Sequence, residues 1–218
     1  MLERNGNPDV LTLLSNLNND LVFTPPNIAY QMLDNLPTEI WTNEKATFLD
    51  PVTKSGVFLR EITRRLDHGL KNIIPDKKKR LEHIFHNQVF GLGTTELTSQ
   101  ISRRTLYCSR EANGKYSVGN FQDSQGNIKY IETKHFWADG KNCKYCGLNK
   151  HNYDREKELE SYAFPFIHDI KINEVFNMKF DVIIGNPPYT MQDGGSGKSA
   201  QNIYHKFVEQ AKKLDPTY

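Results

Sequence analysis

The chain has 218 residues and a formal net charge of +2, which indicates one domain, or one domain with an insertion, and no strong nucleic-acid footprint in the total charge. No stretch approaches the roughly 18 consecutive apolar residues of a membrane span, and the amino terminus has no signal-peptide pattern, so a cytoplasmic protein is expected. Hydrophobic residues at 37% and aromatics at 11% are enough for a real core. The three cysteines, two of them in Cys143-Lys-Tyr-Cys146, fit a reducing compartment and a metal better than disulfides.

Residues 1–22 are rich in Asn and Leu and read as a short helix and an approach. In Phe23-Thr-Pro-Pro26, Thr24 can cap a helix with Pro25 at the tolerated first position. Ile28, Met32, Leu33 and Leu36 then follow at helical spacing. Ala46 to Asp50 reads as a strand and Pro51 to Gly56 as a tight loop. Val57 to Leu66 reads as a helix with Leu59, Ile62 and Leu66 on one face. A strand, a loop of small residues and a helix form a nucleotide-binding layout, although an ordinary βα turn has the same pattern. The basic run Lys77 to Arg80 reads as a solvated helix start rather than a DNA contact. A short strand (Gln88 to Leu92) and a helix from Thr95 follow. Gly93 stands where doubly wound folds often place an acid on a ribose, and Glu96 is the nearest substitute.

Residues 107–152 are short in aliphatics and hold every cysteine. The Cys143-x-x-Cys146 knuckle supplies two metal ligands, and Cys108 and His135 complete a tetrahedron, with His151 as the competing fourth ligand. A structural zinc is expected there; three free thiols in a β-rich insertion is the competing account. Ala163 to Asp169 reads as a strand ending in an acid that accepts from a base amine or caps the next segment. Phe180 to Ile184 is a short buried strand stopped by Gly185 and Asn186-Pro187-Pro188-Tyr189. Neither proline has an N–H for a ladder. The Asn186 side-chain oxygen and the Pro187 carbonyl suit an amine with two hydrogens, and Tyr189 offers a stacking face. A base taken out of a duplex requires both. Residues 190–200 read as a mobile lid. Gly194 to Ser199 mimics a phosphate-binding loop, but the pattern requires Gly where Gln192 stands. Ile203 to Leu214 is an amphipathic helix.

Together these pieces resemble the adenine-specific DNA methyltransferases of restriction-modification systems. Phe23-Thr-Pro-Pro26 resembles the motif beside the methionine end of S-adenosylmethionine. Leu49 to Leu59 resembles the family's cofactor loop, with Lys54 in place of its first Gly. Phe180 to Tyr189 matches the catalytic motif fully. The resemblance implies an α/β fold: a partial Rossmann-like S-adenosylmethionine-dependent methyltransferase sheet with a small Cys/His, zinc-ribbon-like insertion. The core would comprise residues 1–106 and 153–218, with strands near Thr47, Val89, Phe166 and Val182, and the insertion residues 107–152.

The resemblance also implies a set of roles. Asn186, Pro187, Pro188 and Tyr189 would be catalytic. Phe23, Thr24, Asp50, Pro51, Ser55, Gly56 and Asp169 would hold the cofactor. Lys54 need not block the site if it points to solvent. The partner would be double-stranded DNA, with no membrane involved. The family sheet has seven strands, so the chain is expected to be an amino-terminal piece, or to need a carboxy-terminal region, a target-recognition domain or a restriction subunit. Two rival functions share the features: methylation of another planar amine (in RNA, at cytosine N4 or in protein glutamine), and a non-catalytic DNA- or partner-binding module with a degenerate cofactor site.

Overall fold

The computed structural model describes residues 23–150, 163–168, 170–191 and 201–218. Helix α1 (Pro26–Leu33) and a 3-10 turn (Thr38–Thr42) lead into strand β1 (Phe48–Thr53). Helices α2 (Val57–Gly69) and α3 (Lys77–Asn87) carry the chain to β2 (Val89–Gly93), and α4 (Glu96–Tyr107) carries it to β3 (Ile128–Lys129). A ribbon of β4 (Trp137–Ala138) and β5 (Asn142–Cys143), a 3-10 turn (Pro165–Ile167) and a short α5 (Ile172–Phe176) precede β6 (Val182–Ile183). The strands β7 (Thr190–Met191) and β8 (Gln201–Asn202) pair antiparallel before α6 (Tyr204–Lys213).

The core sheet is parallel, in the order β3-β2-β1-β6. Its side chains alternate as a pleat requires, and helices or loops cover both faces. Phe48, Val89, Ile128 and Val182 pack with α1 to α4 in one cluster. Leu49, Phe90, Leu92 and Phe180 pack with Cys143, Cys146, Phe166 and Phe207 in a second. The strand order reverses between β1 and β6. In such sheets ligands bind at the carboxyl ends of the two strands that flank the reversal.

Four expectations change. The strand expected at Ala46–Asp50 runs on to Thr53 and absorbs most of the expected loop. Its register slips between Asp50 and Thr53, where Pro51 has no N–H to pair. In the stretch expected as a strand, Ala163–His168 is not one: Pro165 opens a 3-10 turn whose Pro165, Phe166 and Ile167 are buried. The outer strand is instead Ile128–Lys129, so part of the 107–152 stretch belongs to the core sheet. Tyr107 and Ala112 lie in the same core cluster as that strand. The basic run does open a helix, capped by Asp76, but Arg80 is buried. Its guanidinium donates to Asp67 at 2.7 Å and to the carbonyls of Ile74 and Pro75.

Among the described residues no helix is long and apolar enough to cross a membrane. The expected helix in residues 1–22 and the lid residues 192–200, including the phosphate-loop lookalike, lie outside the described residues.

Candidate active site and metal-ligand cluster

The site is built where β1 and β6 end. Asp181 clamps the start of the pair. Its Oδ2 accepts from the Thr47 N–H and hydroxyl, both at 2.9 Å, and its own N–H donates to Thr47 Oγ1 at 3.0 Å. Parallel pairing then sets Phe48 opposite Val182 and Leu49 opposite Ile183. The last rung is the Ile184 N–H donating to the Leu49 carbonyl at 3.0 Å. Beyond it the prolines end the ladder.

Gly185 is required at this point. A Cβ there would come within 2.7 Å of Asp50 Oδ1 and 3.2 Å of Pro51. The Asn-Pro-Pro-Tyr and Asp-Pro motifs, far apart in the chain, thus meet backbone against side chain.

Asn186 carries the clearest contact. Its Nδ2 donates to Thr24 Oγ1 at 3.1 Å. Thr24 was expected to cap α1, but the N-cap is Pro25 and no side chain caps that helix. The hydroxyl is turned to Asn186 instead. α1 is itself held to α2 by Arg65, which donates to Asp34 at 2.7 Å and to the Tyr30 carbonyl at 3.2 Å. Phe23 is half-buried beside Thr24, Pro187 is half-buried and Pro188 is buried. Tyr189 is 63% exposed and stacks on Tyr204, ring centroids 5.6 Å apart. The Tyr189 carbonyl accepts from the N–H groups of Ile203 and Tyr204, which fixes this ring at the mouth of α6.

Asp50 is buried to 3% exposure, and that burial raises its pKa to about 7. The Val52 N–H, the Thr53 hydroxyl and the charge on Lys54 oppose the rise. Lys54 does not point to solvent: it is buried beside this carboxylate. Ser55 and Gly56 are also buried, and Gly56 starts α2 in the left-handed region (φ 73°) with no side-chain cap. α4 supports this loop from behind. Ser102 donates to the Lys54 carbonyl at 3.1 Å and lies 3.0 Å from the Thr53 hydroxyl. A Cβ on Gly56 would sit 3.1 Å from the Ser102 Cα.

Gly93 has a steric reason. A Cβ there would fall on the Ser99 hydroxyl and within 3.1 Å of the Ser99 Cα, so no acid fits. Glu96 lies in the first turn of α4, within the Thr95–Thr98 capping box. Asp169 lies outside the described residues.

A second constellation lies at the base of the β4–β5 ribbon. His135, Cys143, Cys146 and His168 bring one ligand atom each within 4.8 Å of one another. Cys108 is not among them. It is exposed, in the left-handed C-cap position of α4. The alternative ligand His151 lies outside the described residues. His168 is the candidate ligand absent from the sequence-based set, because it sits in the apolar run read as a strand. Burial pushes its pKa down to about 4 and pushes the Cys146 thiol up to about 12.

Residues 87–218 match the family described as Eco57I restriction-modification methylase. A Mycoplasma pneumoniae protein described as an uncharacterized adenine-specific methylase is 39% identical over 237 aligned residues. The match covers 96% of this chain and 56% of that protein. The tRNA (guanine(6)-N2)-methyltransferase of Methanocaldococcus jannaschii is 30% identical over 134 residues, 57% of this chain and 34% of its own length. The chain therefore spans about half, or less, of the length of these relatives.

Proposed function

The chain belongs to the Eco57I restriction-modification methylase family of methyltransferases, and from that we propose that it carries the catalytic part of an N6-adenine methyltransferase acting on double-stranded DNA. The modification arm of a restriction system is the role that fits. Further chain or a partner would supply target recognition. The observation that carries this reading is the Asn186–Thr24 hydrogen bond beside Asp50 at the strand-order reversal.

The chemistry follows from the atoms. With Nδ2 held by Thr24, the Asn186 Oδ1 is the end of the amide left to accept. It takes one N–H of the target amine and the Pro187 carbonyl takes the other. Holding both draws the nitrogen lone pair out of ring conjugation and stabilises the positive charge that grows as the nitrogen attacks. This is electrostatic preorganisation, with no covalent nucleophile required. The exposed Tyr189 ring offers a stacking face to an adenine flipped out of the duplex. When bound, S-adenosylmethionine supplies the electrophilic methyl. Its holders would be Phe23, Thr24, Asp50, Pro51, Ser55 and Gly56, with Asp169 as a further candidate. The buried carboxylate and the uncapped start of α2 fit a ligand with hydroxyl and charged groups. The room at Gly93 does not admit the usual acid, so Asp50 bears more of that recognition.

The archaeal relative is named for an exocyclic guanine amine in tRNA, and the same acceptor pair suits that amine. Adenine is favoured because the longer and closer match is to the protein named an adenine-specific methylase.

Asn186→Ala in catalytically active enzyme should lower methyl transfer by at least about 10²-fold, as loss of a preorganised polar group does. Affinity for S-adenosylmethionine should stay within about twofold, because the assigned contact is to the amine. Thr24→Val should lower kcat about tenfold with KM for DNA little changed, the effect of one lost orienting hydrogen bond. Near wild-type turnover by Asn186→Ala would remove the assigned role.

A further inference from the structure

We propose that His135, Cys143, Cys146 and His168 bind one structural zinc ion, which joins the Cys-x-x-Cys knuckle to the buried turn before α5. The site is independent of the methyl-transfer reading and uses none of its residues.

The four ligand atoms lie within 4.8 Å of one another, and three of the six distances between them match the edges of a tetrahedron around one ion. His168 Nε2 lies 3.3 Å from His135 Nδ1 and 3.6 Å from Cys143 Sγ, and Cys146 Sγ lies 3.4 Å from His135 Nδ1. With metal–nitrogen bonds of about 2.0–2.1 Å and metal–sulfur bonds of about 2.3 Å, tetrahedral edges come to about 3.3–3.8 Å. Two imidazoles and two thiolates are the ligand set zinc takes in structural sites.

The ligands are also aimed from outside. His168 Nδ1 donates to the Phe164 carbonyl at 2.8 Å. That bond leaves Nε2 as the lone-pair nitrogen, facing the cluster. It is the orienting partner a metal-bound histidine has. His135 is stacked on Trp137, with centroids 4.8 Å apart. The knuckle is a closed turn: the Gly147 N–H donates to the Cys143 carbonyl at 2.9 Å, with Gly147 left-handed at φ 80°. The Cys143 N–H is taken by the Leu148 carbonyl at 2.8 Å. Cys143, Cys146 and His168 are buried in an apolar cluster, where water is a poor substitute for a cation. Four protein ligands leave no open position, which makes the ion a staple rather than a catalyst.

The site joins sequence-distant pieces. Cys143 ends β5, His135 stands two residues before β4, and Cys146 lies in the turn that follows β5. His168 follows Phe164 and Phe166, whose rings pack on Phe207 of α6 at 5.6 and 6.2 Å. An ion here fixes the knuckle to the face of the sheet that carries Leu49, Phe90 and Phe180.

The test is metal stoichiometry and competition on the whole chain. Purified protein should retain one zinc per chain after gel filtration. Its cobalt form should show the intense visible bands of a tetrahedral ion, with charge transfer from two thiolates. Cys108→Ser should leave both unchanged. His168→Ala should weaken retention against a chromophoric chelator by well over tenfold, since loss of an orienting partner alone costs about 10–100-fold. His168→Cys should keep the metal and add a third thiolate band, which separates a lost ligand from a lost fold. Metal-free wild-type protein that fails to take up zinc or cobalt overturns the proposal. Loss of metal in Cys108→Ser with retention in His168→Ala overturns it equally.

Discussion

At the scale of single residues the site depends on Asp50. A carboxyl buried to 3% exposure, with a pKa raised to about 7, makes the folded state bind a proton more tightly than the unfolded chain does. Its contribution to stability is therefore full below the ordinary value of 3.8 and is lost as the pH rises through about 7. Roughly three pH units at about 1.4 kcal/mol each give a cost on the order of 4 kcal/mol in the ionised state. Asp50→Asn should thus stabilise the protein at pH 8 and have much less effect at pH 5, while weakening cofactor binding. Urea midpoints at the two pH values measure this, and an equal gain at both would show that Asp50 is not the strained group. Such a cost is accepted where function needs it. The candidate residues that the structure brings together here stood out in the sequence because Asn-Pro-Pro-Tyr and Asp-Pro are short motifs with local chemistry. The Thr24–Asn186 contact was not, because Thr24 beside two prolines satisfies a helix-cap pattern just as well, and only the tertiary arrangement turns its hydroxyl away.

At the scale of elements, β1, β2, β6 and the helices α2 to α4 and α6 followed from apolar periodicity and punctuation. β3 did not: Ile128–Lys129 is too short to carry a period, and its place in the sheet comes from pairing with β2. The run at Ala163–Asp169 misled for the opposite reason. It is apolar enough for a buried strand, but Pro165 stiffens it into a 3-10 turn. His168 went unrecognised as a ligand for the same reason, since the metal reading stayed within the cysteine-bearing stretch.

α4 illustrates a constraint that composition conceals. Its buried Thr98, Ser99 and Ser102 are small and hydroxylated, and Ser102 faces the turn at Thr53 and Lys54. Ser99 occupies the space a side chain at Gly93 would need. Gly93→Ala should therefore destabilise the fold by about 1–3 kcal/mol, the cost of overpacking a filled interior. A thermal or urea unfolding series checks it, and an unchanged midpoint would mean that β2 and α4 can separate freely.

At the scale of the molecule, the sheet divides two cores that hold together by different means. One side is a conventional helix-on-sheet layer, in which Phe48, Ile62, Leu66 and Ile84 are fully buried. The other is assembled from short pieces: a two-residue ribbon, a 3-10 turn and α6, joined by rings and by the His/Cys cluster. Short pieces bury little area per ordered residue, so a core of this type gains most from a metal staple. The two sides should then respond differently to metal removal. Chelation followed by amide hydrogen exchange should raise exchange at the amides of Cys143, Gly147 and His168, whose acceptors lie in the knuckle and the 3-10 turn. The amides within α2 and α3 should keep their protection, because their helices rest on the opposite face. Faster exchange throughout both layers would mean that the fold is one cooperative unit with the cluster at its centre. The Asn-Pro-Pro-Tyr motif sits at the seam. Asp181 ties β6 to Thr47 through three hydrogen bonds that involve neither core's side-chain packing. The same experiment should accordingly leave the Ile184 amide, bonded to Leu49 of β1, protected after the knuckle has opened.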